Sequence, residues 1–269
     1  MSQAAAGRAV IPPTISGGAA EKSADAPLTT MTHAIRTLQT PEAQALRHAH
    51  PVILLALFAA RFRALVADPV PTMWSALPAV LAVQAAYTIV CLPPVGSGGG
   101  SGKAKAHRKT RPGEKRKDSG GGGTGPNIAV TSLVALVLSS VSGLAIHVLL
   151  VLFGAPFLTH VRHTLLCSLH LALLGLYPLF YARGVSARDW LEVASARAPL
   201  DEGFGGLVGA CVGAWLGAVP IPLDWDRDWQ RWPVTILCGV YAGYAVGKMV
   251  GGSPWVWGKR FTSEGDESL

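Results

Sequence analysis

Six stretches of this chain are too apolar and too long to be solvated on every face, and that feature constrains the fold more than any other. A lipid-spanning helix needs about 17–25 predominantly apolar residues. Windows of this kind cover residues 51–67, 73–92, 128–153, 164–181, 204–219 and 234–250. Only 14% of the 269 residues are charged, against roughly a quarter in soluble domains, and nearly all of those charges lie between the windows. The pattern excludes a soluble enzyme and predicts an all-α, polytopic transmembrane helical bundle of six spans. Spans and connectors use up nearly everything after the N-terminal tail, so no separate catalytic domain is expected. No signal peptide is visible before Glu42, and the first apolar helix is expected to act as the targeting signal.

Residues 1–47 read as a disordered cytoplasmic tail and residues 48–269 as the membrane domain. The net charge of +7 comes mostly from one insert, residues 96–126, where Lys103, Lys105, Arg108, Lys109, Arg111, Lys115, Arg116 and Lys117 face only Glu114 and Asp118. Glycine runs flank it, so it reads as a disordered linker that sets topology, with attraction to anionic lipid as the alternative. No aromatic residue interleaves its charges, and nucleic acid is not expected as a partner. Lys and Arg are 17 on the side of the tail and insert and 3 on the other, namely Arg162, Arg227 and Arg231. Positive charge stays cytoplasmic, so both termini are expected there, as an even number of spans requires. Arg61 and Arg63 lie inside the first window. They imply a tilted helix with snorkelling side chains, or burial against an acid such as Asp68.

Cys91, Cys167, Cys211 and Cys238 each sit in an apolar run without a C-x-x-C pair, and are expected to be buried free thiols. His160 and His163 are neighbours in a connector, too few for a metal site. Trp74, Trp225, Trp229, Trp232, Trp255 and Trp257 flank spans, where amphipathic rings suit the headgroup level.

The last two windows carry glycine every fourth residue: Gly205, Gly209, Gly213 and Gly217, then Gly239, Gly243, Gly247 and Gly251. Positions i and i+4 drift by about 40° around a helix, so each set forms an inclined stripe without side chains. Either the stripes pack on each other across the hairpin, or one receives a helix from a partner. Between them, Asp224 is a plausible N-cap, and Trp225, Trp229 and Trp232 share a face at i, i+4, i+7. A short interfacial helix closed by Pro233 is expected, with an Asp228–Arg231 pair at i, i+3. The alternative makes Asp224, Asp226 and Asp228 metal ligands or acid/base groups.

The run Val212 to Arg227, with Trp229-Gln230 and Trp232-Pro233, resembles the signature of the PIG-F family of glycosylphosphatidylinositol-anchor biosynthesis proteins. His147-Val148 and Val151 to Pro156 resemble the segment that ends that family's third span. The likeness extends from about Ile128 to the C-terminus, and it departs from the family at Asp228, where proline is common. The resemblance implies a multi-pass endoplasmic reticulum membrane protein that stabilises the large ethanolamine-phosphate transferase subunits acting on mannoses of the anchor precursor, with the metal-dependent catalytic domain in the partner. The two glycine stripes, His147 and the residues Asp224, Trp225, Asp226, Arg227, Trp229 and Trp232 are then candidate contacts to partner or lipid, the anchor precursor included. No catalytic residue, metal ligand or cofactor is expected in this chain. The competing reading is an integral-membrane lipid enzyme or translocator using the lumenal Asp and Arg residues itself.

Overall fold

The computed structural model describes residues 32–97, 127–223 and 226–261. Most of the expected tail and most of the basic insert lie outside the described residues, as do Asp224 and Trp225. The fold is helical, with no strand among the described residues: α1 (Pro41–Ala67), α2 (Pro69–Cys91), α3 (Ile128–Leu152), α4 (Val161–Leu171), α5 (Tyr177–Arg183), α6 (Ala187–Ala194), α7 (Glu202–Ala218) and α8 (Val234–Gly251). A π-helical turn, Ala172–Leu176, joins α4 to α5 into one span, and six helical segments are long and apolar enough to cross a membrane.

Local chemistry sets the helix ends. The Thr40 hydroxyl accepts from the Ala43 N–H, and Pro41 follows at the first helical position, where its missing donor costs nothing. α1 therefore starts inside the stretch expected to be disordered tail, and residues 32–40 ahead of it run extended against the bundle, with Thr37 buried. Asp68 alone separates α1 from α2, because Pro69 cannot continue one helix but can open the next. Asn127 caps α3 through bonds to the Ala129 and Val130 amides. Gly154 turns the chain after α3 with φ +101°, in the region that glycine enters freely.

The fourth span is the most buried and α3 the least. Leu54, Met73, Val80, Leu171, Leu237 and Tyr241 form the largest core cluster. Tyr87, Cys91, Tyr177 and Tyr181 form a second one with Ala43 and Ala135. α3 presents Leu133, Val137, Val141 and Leu144 outwards, as a lipid-facing helix does. Pro178 lacks the N–H that would reach the Leu174 carbonyl in a regular helix. The fully buried Gln84 of α2 donates to that carbonyl instead, at 3.2 Å, while the Tyr177 amide reaches back five residues to Ala172. Cys91 and Cys167 are buried as expected, but Cys211 is exposed and Cys238 half-buried, because α7 and α8 turn those faces outwards.

Candidate functional site

Helices α7 and α8 meet along the two glycine stripes. A Cβ added at Gly213 or Gly239 would fall under 3.0 Å from the other's carbonyl oxygen; Gly209 with Gly243 and Gly205 with Gly247 repeat the relation. Gly217 faces the Thr235 carbonyl and Gly251 that of Asp201 in the same way. Backbone lies on backbone over the whole hairpin, so each stripe is filled by the other. The docking surface that one stripe could have offered to a partner's helix is taken by the chain's own hairpin.

At the end of the hairpin formed by the α7–α8 connector, the interfacial α-helix expected around Trp229 is absent among the described residues. Short 3-10 turns at Ile221–Leu223 and Asp228–Gln230 stand in its place. Asp226 has φ +51° and Arg227 is extended, so an α-helix cannot run through them. The Gln230 side chain holds the connector closed, accepting from the Arg227 amide at 3.2 Å and donating to the Pro220 carbonyl at 2.8 Å. The Asp228–Arg231 pair forms at 2.6 Å, and both partners are exposed. Asp226 and Arg227 are exposed as well, while Trp229 is half-buried. Trp232 turns inwards: its indole N–H donates to the Thr164 hydroxyl at 3.1 Å and its ring packs on the core. His147 is half-buried near the end of α3, and its Nδ1 is buried without a partner. The His160 and His163 rings meet edge-on at 4.9 Å. Among the described residues no cluster of three or more His, Cys, Asp or Glu side chains could hold a metal ion. Arg61 donates to the Ser75 hydroxyl at 2.9 Å; neither it nor Arg63 pairs with a described acid, and Asp68 is not their partner.

The opposite end holds an ion cluster that sequence reasoning missed. Asp201 caps α7 by accepting from the Phe204 amide at 2.8 Å, and its other oxygen accepts from Arg183 of α5 at 2.5 Å and from the Ile35 amide at 3.1 Å. Glu202, 5% exposed, is bound by Arg47 of α1, by Lys248 of α8 at 3.1 Å and by the Tyr87 hydroxyl of α2 at 2.8 Å. Lys248 also lies 4.1 Å from the Tyr87 ring centroid and donates to the Arg47 carbonyl at 3.0 Å. Two adjacent carboxylates at one helix N-terminus, where the dipole favours negative charge, therefore tie five helices and the extended segment together. His50 stacks on Tyr87 at 4.3 Å with both ring nitrogens unpartnered. The available signal was Lys248 itself, since an ionisable residue inside an apolar window demands a named partner.

A clamp beside this hub carries the C-terminal segment. Glu192 of α6 accepts from Thr32 and from Arg260 at 2.9 Å, and the Leu200 amide donates to the Lys259 carbonyl at 2.8 Å. Burial tends to raise the Glu192 carboxyl, but the bonds from Thr32 and Arg260 outweigh it and hold it below the usual carboxylate range.

The family model described as "GPI biosynthesis protein family Pig-F" matches residues 49–252. The chain is 56% identical over 227 residues to a protein of Neurospora crassa named "Glycosylphosphatidylinositol anchor biosynthesis protein 11", covering 84% of this chain and 80% of the relative. To the protein of the same name in Aspergillus fumigatus it is 40% identical over 260 residues, covering 87% and 88%. A human protein named "GPI ethanolamine phosphate transferase, stabilizing subunit" is 36% identical over 119 residues, 42% of this chain and 53% of the relative. No solved structure matches the chain.

Proposed function

This chain belongs to the Pig-F family of GPI biosynthesis proteins, and from that premise we propose that it is the non-catalytic membrane subunit that binds and stabilises a large ethanolamine-phosphate transferase subunit in the endoplasmic reticulum. The observation that carries this reading is the likeness to the human protein named as the stabilizing subunit of that transferase. The fold is compatible with such a role. Its spans are tied to one another by a buried hub and a side-chain-free hairpin, which makes a stiff body, and α3 turns a long apolar face outwards on which membrane helices of a partner can pack.

In this reading both termini are cytoplasmic, the α7–α8 connector is lumenal, and the exposed Asp226 and Arg227 meet the partner on the side where transfer takes place. His147 and the outer faces of the glycine hairpin are further contacts to partner or lipid. The positive charge of the insert at residues 96–126 sets sidedness in this reading. The test is to purify the chain alone and with a transferase subunit, then measure ethanolamine-phosphate transfer to a mannosylated lipid. Activity is expected only in the complex. Transfer by the lone chain would make it a lipid enzyme in its own right. Asp226→Asn separates the same two readings: loss of the co-purified partner supports the contact, whereas intact partner levels with abolished transfer support direct chemistry.

A further inference from the structure

At the hub end a cleft of about 380 Å³ opens between the extended segment ahead of α1 and the turns that follow α8, a size within the range of ligand-binding clefts. Arg36, Arg47, Glu202, Trp257, Ile35 and Pro254 line it. The charges beside it do not balance. Arg47 and Lys248 share the single carboxylate of Glu202, and the neighbouring Asp201 is taken by Arg183. Arg36 forms no ion pair with any described residue and rests on the Trp257 ring, 4.7 Å from its centroid. In the lining of the cleft, Arg36 and Arg47 therefore face the single carboxylate of Glu202, which Lys248 also binds from α8. Arg47 has two donors engaged, one on Glu202 and one on the Gly252 carbonyl at 2.8 Å, out of the five a guanidinium carries.

Among the described residues the guanidinium charge of the cleft exceeds its carboxylate charge, and such a surplus favours binding of an anion. The geometry points to the phosphate of an anionic membrane lipid as that anion, and we propose this cleft as its binding site. Arg36, placed over the Trp257 ring, offers a planar fork to phosphate oxygens, which is the recognition that arginine performs and lysine does not. Ile35 and Pro254 give apolar surface to the glycerol and the first acyl carbons. Trp257 has the amphipathic character of an interfacial ring. A free phosphate ion would meet the same cations but gain nothing from the apolar wall. The site does not depend on the transferase partnership, because every residue in it belongs to this chain.

The experiment is native mass spectrometry of the full chain in detergent, titrated with dioctanoyl phosphatidic acid, dioctanoylglycerol or inorganic phosphate. Saturable binding of phosphatidic acid is expected, with dioctanoylglycerol not retained and inorganic phosphate bound at least about tenfold more weakly. Arg36→Gln should weaken phosphatidic acid by about tenfold or more, and Arg36→Lys by less, since it keeps the charge and loses the fork. Arg36 is exposed and outside every ion pair, so these variants should keep the wild-type melting temperature. Trp257→Ala, which removes the plate and no charge, should weaken binding several-fold and gives an independent reading. Wild-type affinity in Arg36→Gln would overturn the proposal. So would equal retention of dioctanoylglycerol, or inorganic phosphate binding as tightly as the lipid.

Discussion

Glu202 shows how one side chain can decide whether a bundle closes. It carries the only carboxylate within reach of Lys248 among the described residues and shares it with Arg47 and Tyr87. Removing a partner from a buried ion pair costs about 3–5 kcal/mol, because the remaining charge stays desolvated. The two ends of this pair are unequal. Lys248→Met leaves Glu202 with Arg47 and Tyr87, whereas Glu202→Gln leaves two cations without an anion. Glu202→Gln should therefore lower the melting temperature of the detergent-solubilised chain distinctly more than Lys248→Met. Equal losses would mean that Arg47 does not share the load. This hub was only half legible in the sequence. Lys248 announced itself as an ion inside an apolar window, but Arg47 lies 155 positions upstream of Glu202 in the numbering, and no local periodicity links such distant positions.

At the scale of elements, the α7–α8 hairpin is the most constrained contact in the molecule. Its glycine period was plain in the sequence, and the close backbone approach follows from it. What the period could not say was which of two surfaces would meet, since a stripe without side chains fits any helix backbone. The structure joins the two stripes to each other. Gly213→Ala places a methyl against the Gly239 carbonyl, and the helices must part along their length. Overpacking of this kind costs about 1–3 kcal/mol for a single methylene, occasionally more. Gly213→Ala should thus reduce the thermal stability and the yield of monodisperse protein, while Cys211→Ala on the exposed face of the same helix leaves both unchanged. Loss of stability in neither variant would show that the helices can shift apart freely. The connector was the least legible element. Tryptophans at i, i+4, i+7 suggested a helix, but Asp226 with φ +51° and the Gln230 side-chain bonds shape the chain into tight turns instead. Periodicity over so few residues is easily overruled by side chain to backbone bonds.

For the molecule as a whole, six spans were readable because each window is long and predominantly apolar, and the observed helical segments depart from the windows by at most four residues at either end, except that α1 starts ten residues before its window. The added residues carry the polar groups of the buried hub, Arg47 before the first window and Glu202 before the fifth. Composition marks where lipid ends but not where helix ends. The sidedness read from Lys and Arg has a direct check. In sealed microsomes, epitope tags at both termini should be accessible to added protease, and a glycosylation acceptor placed between Asp226 and Arg231 should be modified. A protected N-terminus beside an exposed C-terminus would require an odd number of spans. The π-helical turn within the fourth span has a further consequence. Each residue of a helix advances the facing direction by about 100°, so the additional residue held in Ala172–Leu176 works as a vernier between the two halves of that span. It lets His170 bond Tyr241 and the Met73 carbonyl on one side while Arg183, beyond the turn, still points at Asp201. A shorter turn would keep one of these alignments and forfeit the other, so the two ends of the molecule are held in phase by a single residue's worth of helix.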